Sequence, residues 1–417
     1  MSAAVLKVEV DFSQGASFDP ALVLDDPATP LDIAVLGTVA ADVVDITPFV
    51  TQVFIRRAFN RSSDSFTGGS AKVVFVDQTG EFNPANTSSD LYGKIKPMRK
   101  IRFTATFSNV NYNLGSFYVQ QWDYKSPTGF DPAYVTLNCV DGFQLLNLTT
   151  ISTVSGGTAN QTTAQRVTSL LDAGEWPIGM RDISTTTTTL VQADTGASRS
   201  LLGALQVVEQ TDLGALYIDE RGFVKFLSRN DIITASGGTL TKFSDQVGSG
   251  DITYQAAQFD ISDYQLINKA EVSPTGLTTQ VASDIDSIGD YFQHSRIRSG
   301  IMTTEADALN QALMIVASRK EQGVDLQLNA LTVDAYSSVD PDRVTAALEL
   351  DIFDPIEVTQ TLPAENVVTQ SVIAGVQYEI TPNSFLVTFT CAQPFASGFL
   401  LDSAVDGILD QDSLAYT

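Results

Sequence analysis

Apolar and polar residues alternate with a period of two along much of the first 141 residues. VLKVEVDF (5–12) and FVTQVFIRRAF (49–59) show the pattern, and AKVVFVD (71–77) is a dense β-branched run. IRFTATF (101–107), GSFYVQQWDY (115–124) and YVTLNCVD (134–141) continue it. Successive side chains of a strand point to opposite faces, so this period builds half-buried strands. Gly, Asn and Pro between the runs supply turns, and the spacing predicts a small antiparallel barrel or sandwich.

The middle of the chain changes period. TTAQRVTSLLDAG (162–174) places Val167, Leu170 and Leu171 at helical spacing, with threonines at its start and Gly174 at its end. SRSLLGALQVVEQTDLG (198–214) repeats the design with Leu201, Leu202, Leu205 and Val208, then runs into ALYID, Glu220-Arg221-Gly222 and FVKFLSR. That order predicts a helix feeding a tight β-hairpin. TEADALNQALMIVASRKEQG (304–323) predicts a third helix, with Leu309, Ala312, Leu313 and Val316 on its buried face. Thr304 with Asp307 resembles a capping box, Arg319 and Lys320 suit the negative end, and Gly323 can stop the helix. Segments 263–274, 324–335, 345–359, 366–380 and 384–391 read as strands. The predicted fold is mainly β with an α+β insertion, in several domains. These are a β-rich domain at 1–148, an α/β helix–hairpin domain at 149–236, a second β-rich domain at 237–395 bracketing helix 304–322, and an extended tail at 396–417.

Composition limits the chemistry. The 417 residues hold one histidine and two cysteines, too few for most triads and for three-His or HExxH metal sites. His294, in YFQHSRIRSG, reads as an ordinary surface or interface residue rather than a catalytic base. Cys139 and Cys391 lie in apolar strand-like runs and read as buried free thiols. GSGD (248–251) is too short for a phosphate loop, and no EF-hand spacing occurs. Acidic groups such as Asp340-Pro341-Asp342 or Asp351 with Asp354 read as turns and solvated faces, and Trp122 and Trp176 as core anchors. No catalytic residue, cofactor or metal is expected, and the chain reads as a non-enzyme. MSAAVLKVEV shows no secretory leader, and no stretch suggests a membrane anchor.

Charge is the sharper signal. A net charge of −25 argues against gripping nucleic acid or an anionic membrane. From Glu321 onward fifteen acidic residues face a single basic one, Arg343. Arg56, Arg57, Arg61, Lys94, Lys96, Arg99, Lys100 and Arg102 make the N-terminal module locally basic. Arg56, Arg57, Arg99, Lys100 and Arg102 are therefore candidate contacts to another subunit or to a charge-complementary neighbour.

Several segments resemble the siphophage minor tail proteins that form the baseplate hub. Asp-Ile-Thr-Pro-Phe-Val (45–50) is similar to their Asp-Val-Thr-x-Tyr-Val opening, and GGSAKVVFVDQTGEFNPAN (68–86) matches their strand, turn and Phe-x-Pro-x-Asn end. SDLYGKIKPMRKIRFTATF (89–107) resembles a later segment, with Met98 in place of the usual Gly. GSFYVQQWDY, VTLNCVDGFQLL, the helix–hairpin at 198–229 and the tail FLLDSAVDGILDQDSLAY follow in order. Physically these motifs are structural: Gly80 permits a tight turn, Phe82 anchors the loop and Pro84 ends strand pairing.

The resemblance implies a homotrimer with two β-barrel-like, tail-tube-type domains per chain, so that three copies match a six-fold tube. It implies a virion protein at the tail tip, made in the bacterial host cytoplasm. Its partners would be distal tail or tail-tube proteins and distal tip or fibre proteins, and DNA would pass without specific binding. Two other functions fit the same sequence: a tail-associated cell-wall hydrolase and a carbohydrate-binding receptor-recognition protein.

Overall fold

The computed structural model describes residues 3–13, 42–60, 65–129, 131–321, 326–336, 340–363 and 366–393. The tail at 396–417, Gly323 and Arg61 lie outside them.

The N-terminal runs all form strands: Val5–Asp11, Val50–Asn60, Ser70–Asp77, Arg99–Phe107, Val110–Lys125 and Ala133–Val140. Ala133–Val140 alternates buried and half-buried residues along its whole length, as its sequence period requires. Neighbours pair antiparallel in the order 50–60, 70–77, 133–140, 110–125, 99–107, 5–11, with the short strand Val43–Asp45 last. A 3-10 turn, Thr47–Phe49, then carries the chain from that last strand into the first. Val8 N donates to Thr47 Oγ1 at 2.8 Å, and Ile46 N to the Val8 carbonyl at 3.0 Å. Four residues span little distance, so the two ends of the row are drawn together and the sheet curls into a barrel-like roll. Bulges at Val50/Gln52, Phe103/Thr104 and Val119/Gln121 supply the bends. Its loop beyond Ser70–Asp77 is anchored as its sequence predicts. Gly80 is left-handed at φ 75°, the Asp77 carboxylate accepts from the amides of Gly80, Glu81 and Phe82, and Phe82 packs edge-on to Phe75 at 4.8 Å.

A second strand group comprises Thr241–Ser244, Ile252–Thr253, Ala256–Asp260, Gln327–Asp334, Pro355–Gln360, Val367–Thr381 and Ser384–Ala392. The long strand 367–381 joins the two groups. On one edge it pairs with 384–392. On the other its first half pairs with 355–360 and its second half, from Gly375 to Ile380, with Val53–Ala58 of the N-terminal group. A bulge between Ile373 and Gly375 marks the change of partner. Both groups thus share one sheet, and Val8, Phe75 and Phe103 belong to the same apolar core as Phe243, Tyr378 and Phe389.

Two α/β units interrupt this frame. In the first, helices Gly142–Leu148, Thr163–Ala173 and Leu201–Asp212 pack with hairpin strands Ala215–Ile218 and Val224–Leu227 around Leu146, Val167, Leu171, Leu205, Val208 and Phe226. Thr162 and Gln165 form a full capping box, and Ser200 caps the third helix through the Gly203 amide. The 142–148 helix, capped by Asp141, has no helical period long enough to be read from sequence. In the second unit, Lys269–Pro274 lies between Gln280–Ser283 and Ser295–Gly300 as a separate three-stranded sheet, and helix Glu305–Arg319 covers one face. Of the predicted strand 263–274, only residues 269–274 are extended in this way.

Two further expectations need correction. The 345–359 segment is a helix, Pro341–Glu349, followed by strand Pro355–Gln360. Asp340 caps it through the Arg343 amide, Pro341 occupies the first turn, and Val344, Ala347 and Leu348 bury a helical face, so Asp340-Pro341-Asp342 starts a helix rather than a turn. Helix 305–319 buries Ala308, Gln311, Ala312, Ile315 and Val316, whereas Leu309 and Leu313 remain 37% and 38% exposed. The small alanines let the helix approach its sheet closely, which turns the face by about one residue from the leucine stripe.

Candidate functional site

The joint between the strand groups holds a buried arginine. Val53, Ile55 and Arg57 alternate toward the core from strand 50–60, so Arg57 enters beside Tyr378 instead of facing solvent. Its guanidinium grips Asp351 with both terminal nitrogens, Nη2–Oδ1 at 2.8 Å and Nη1–Oδ2 at 3.4 Å. Burial disfavours the Arg57 charge, but Asp351 outweighs it and raises the pKa above the ordinary arginine value. Burial likewise acts to raise the Asp351 pKa, and Arg57 overrides it and lowers it. Asp351 is therefore half-buried in an ion pair, contrary to the solvated face read for it, and Asp354 accepts from its amide at 2.8 Å.

The hairpin turn Asp219–Gly222 meets the same place. Glu220 lies within electrostatic reach of Asp351. Burial first, then the charges of Asp351 and Asp219, push the Glu220 carboxyl up to about 7. Phe66, Tyr217 and Phe353 cluster beside the joint in tilted and edge-on contacts, with ring centroids 5.0 to 6.1 Å apart. Strand 50–60, the hairpin and the 350–354 loop are thus tied together by one apolar cluster and one charge cluster.

Of the five basic candidates, the structure takes two inside the chain. Arg57 pairs with Asp351, and Lys100, 3% exposed, pairs with the buried Asp11 at 2.8 Å. Burial acts to raise the Asp11 pKa, but the bonds from Lys100 and Ser13 prevail and lower it. Neither side chain presents its charge to a neighbour. Arg102 is half-buried and pairs with Glu9 at 2.8 Å, and Arg99 donates to the carbonyls of Lys94 and Ser13. Arg56 is exposed on the outer face, opposite Gln377 across the joint and Ser70 on its other side. The signal for separating Arg56 from Arg57 was the strand period itself, since adjacent residues must face opposite ways.

His294 is half-buried, with Nε2 at 3.0 Å from the Tyr291 carbonyl and 4.0 Å from Asp263. It lines a cleft of about 350 Å³ with Asp263, Tyr264, Gln293, Arg296 and Arg319. Cys139 and Cys391 are buried free thiols. Trp176 is buried with its indole N–H on the Met180 carbonyl, and Trp122 stacks on Phe12 at 5.9 Å. Among the described residues no three His, Cys, Asp or Glu side chains converge on a metal-sized site, and no helix is long and apolar enough to cross a membrane. A further buried carboxylate, Asp141, accepts from the amides of Gly69 and Phe143. Burial pushes it up to about 7 against those bonds.

No protein-family model and no curated protein sequence matches the chain. Solved structures do. A tail protein from Neisseria meningitidis MC58 superposes with a TM-score of 0.57 at 9% identity, covering 94% of this chain and 96% of that one. The 43 kDa tail protein of prophage MuSo2 from Shewanella oneidensis gives 0.52 at 15% identity, covering 85% and 94%. The likeness extends over most of the length of both partners and is one of fold. The chain is mainly β, with a fold similar to that of these tail proteins.

Proposed function

We propose that the chain is a structural component of a bacteriophage tail, a homotrimeric hub at the tail tip. It would cap the tail tube, hold distal tip or fibre proteins, and form a channel through which DNA leaves. The observation that carries this reading is the shared fold over 94% of the chain and 96% of the Neisseria tail protein. The joined sheet supports it too: a strand that pairs with both groups fixes two β-modules in one rigid frame, which suits three copies presenting six similar surfaces. Under this reading the protein is made in the host cytoplasm and is built into the virion, and it performs no catalysis.

Exposed Arg56 would be the basic group offered to a neighbour, and the acidic residues from Glu321 onward its counterpart on another subunit. Acidic side chains along the channel would repel passing DNA. The test is quantitative mass spectrometry of purified virions. The chain should be present in a multiple of three copies per particle; its absence from particles would end the proposal.

A carbohydrate-recognition reading has one observation in its favour. Tyr264, 81% exposed, stands in the wall of the His294 cleft beside the planar polar groups of Asp263, Gln293 and Arg296. Binding to a glycan array by the full chain, lost in Tyr264→Ala, would support it.

A further inference from the structure

Basic side chains are scarce in this chain, 24 lysines and arginines against 49 acidic residues, yet His294, Arg296 and Arg319 line one cleft. Among the described residues they share it with one carboxylate, that of Asp263. At about 350 Å³ the cleft has the size of a small-ligand pocket. Three elements build it: the 263–267 loop, the 293–296 segment that enters strand Ser295–Gly300, and the end of helix Glu305–Arg319.

One wall is fixed by a fully buried asparagine. Asn268 Oδ1 accepts from the His294 amide at 2.7 Å, and its Nδ2 donates to the Phe292 carbonyl at 2.7 Å. The His294 carbonyl in turn accepts from the amides of Asn268 and Lys269 at 3.1 and 3.2 Å. These bonds hold Phe292 at φ 63° and ψ 173°, a region that is nearly glycine-only. Packing does not explain the strain, because the Phe292 ring is 84% exposed. Strain held this firmly collects at ligand clamps.

The cleft offers two kinds of contact. The Tyr264 ring, exposed to solvent, presents a face to a sugar ring, and the Gln293 amide and Ser295 hydroxyl, bonded to each other at 2.7 Å, are polar groups at its side. The guanidinium forks of Arg296 and Arg319 match the geometry of a carboxylate or phosphate. We propose that the cleft binds an anionic saccharide, with its acidic group on Arg296 and Arg319 and its ring on Tyr264. Charge-assisted bonds are roughly twice as strong as neutral ones, so the acid sets the selectivity. This inference rests on the carbohydrate-recognition reading of the same cleft and adds the charge of the ligand.

The test is calorimetric titration of the full-length chain with two matched pairs, trigalacturonic acid against its neutral methyl ester and glucose 6-phosphate against glucose. In at least one pair the acid should bind about tenfold or more tightly than its neutral counterpart. The pair that shows the difference tells a carboxylate ligand from a phosphate one. Tyr264→Ala should weaken acid and neutral forms alike, whereas Arg296→Gln should bring the acid down to the affinity of the neutral form. If Arg296→Gln does not fold, the wild-type ratio of acid to neutral binding decides. Equal binding of acid and neutral forms, lost in Tyr264→Ala, overturns the anionic ligand and leaves carbohydrate recognition standing. An acid preference that survives Arg296→Gln overturns the assignment to this cleft, and binding of neither form overturns both readings.

Discussion

Arg57 and Asp351 stand 294 residues apart in the sequence and 2.8 Å apart in the fold. The pair connects the locally basic N-terminal module to the acidic last quarter of the sequence inside one chain, where the charge map alone suggested a meeting between subunits. With Arg57 buried, the pair derives its value from being complete, because removing either partner leaves a charge uncompensated.

Breaking the pair should cost far more than replacing it. Asp351→Ala leaves Arg57 buried and unpaired and should lower unfolding stability by about 3–5 kcal/mol. The double change Arg57→Met with Asp351→Leu should recover a large part of that loss. Urea denaturation of the two variants makes the comparison, and equal losses would show that the site needs its charges for another reason.

Met98 holds a left-handed backbone at φ 63°, while its amide donates to the Val119 carbonyl at 2.6 Å. The hub-like sequences it resembles carry Gly at this place, and only Gly takes that conformation without a steric cost. Met98→Gly should therefore stabilise the chain by up to about 1 kcal/mol. A loss of stability would mean that the side chain's packing outweighs its strain.

Gly69 tests the opposite case. A Cβ there would lie 2.9 Å from Asp141 Oδ2, 3.2 Å from the Arg56 carbonyl and 3.3 Å from Phe117. Gly69→Ala should destabilise by about 1–3 kcal/mol by forcing these groups apart. A neutral result in thermal melts would show that the Asp141 loop yields easily.

The face of helix 305–319 can be read by truncation. Ile315→Ala removes a buried side chain and should cost about 2–4 kcal/mol, whereas Leu313→Ala should cost well under half of that. Denaturant midpoints measured side by side would reverse this order if the leucine stripe were the buried face.

Acid should act on the buried Asp11–Lys100 pair. Asp11 has a folded pKa below its ordinary value, so its pairing with Lys100 contributes stability above the unfolded pKa of about 4 and loses it as the pH falls through the lower folded value. Asp11→Asn should flatten the acid limb of a stability–pH curve and lower the plateau at pH 7, because Lys100 is left buried without its anion. An unaltered acid limb would place acid sensitivity elsewhere.

Much of the fold is legible locally. The strands from Val5 to Val140 announce themselves because one face is buried and the other is not, and Thr162, Ser200 and Thr304 mark helix starts through their own side-chain bonds. What escapes is of two kinds. The 341–349 helix is short and leads at once into strand 355–360, so the apolar run that follows masks its Asp340-Pro341 start and the i, i+3, i+4 spacing of Val344, Ala347 and Leu348. The joint is long-range: nothing near Val376 names Arg57 as its partner in the sheet. Strand parity gives Arg57 an inward direction, but it does not give Lys100 one. Lys100 follows the outward parity of its strand and is buried because Asp11 and Ser13 cover it.

The basic surface can be challenged by charge reversal. Arg56→Glu should leave the isolated chain folded, since the side chain is exposed, and should block its incorporation into particles. Normal tails assembled from that variant would remove Arg56 from any interface.

The most direct measurement is an electron cryo-microscopy map of the intact tail. Three copies of this chain around the tail axis at the distal end of the tube are the predicted result. A single copy, or density away from the axis, would contradict it.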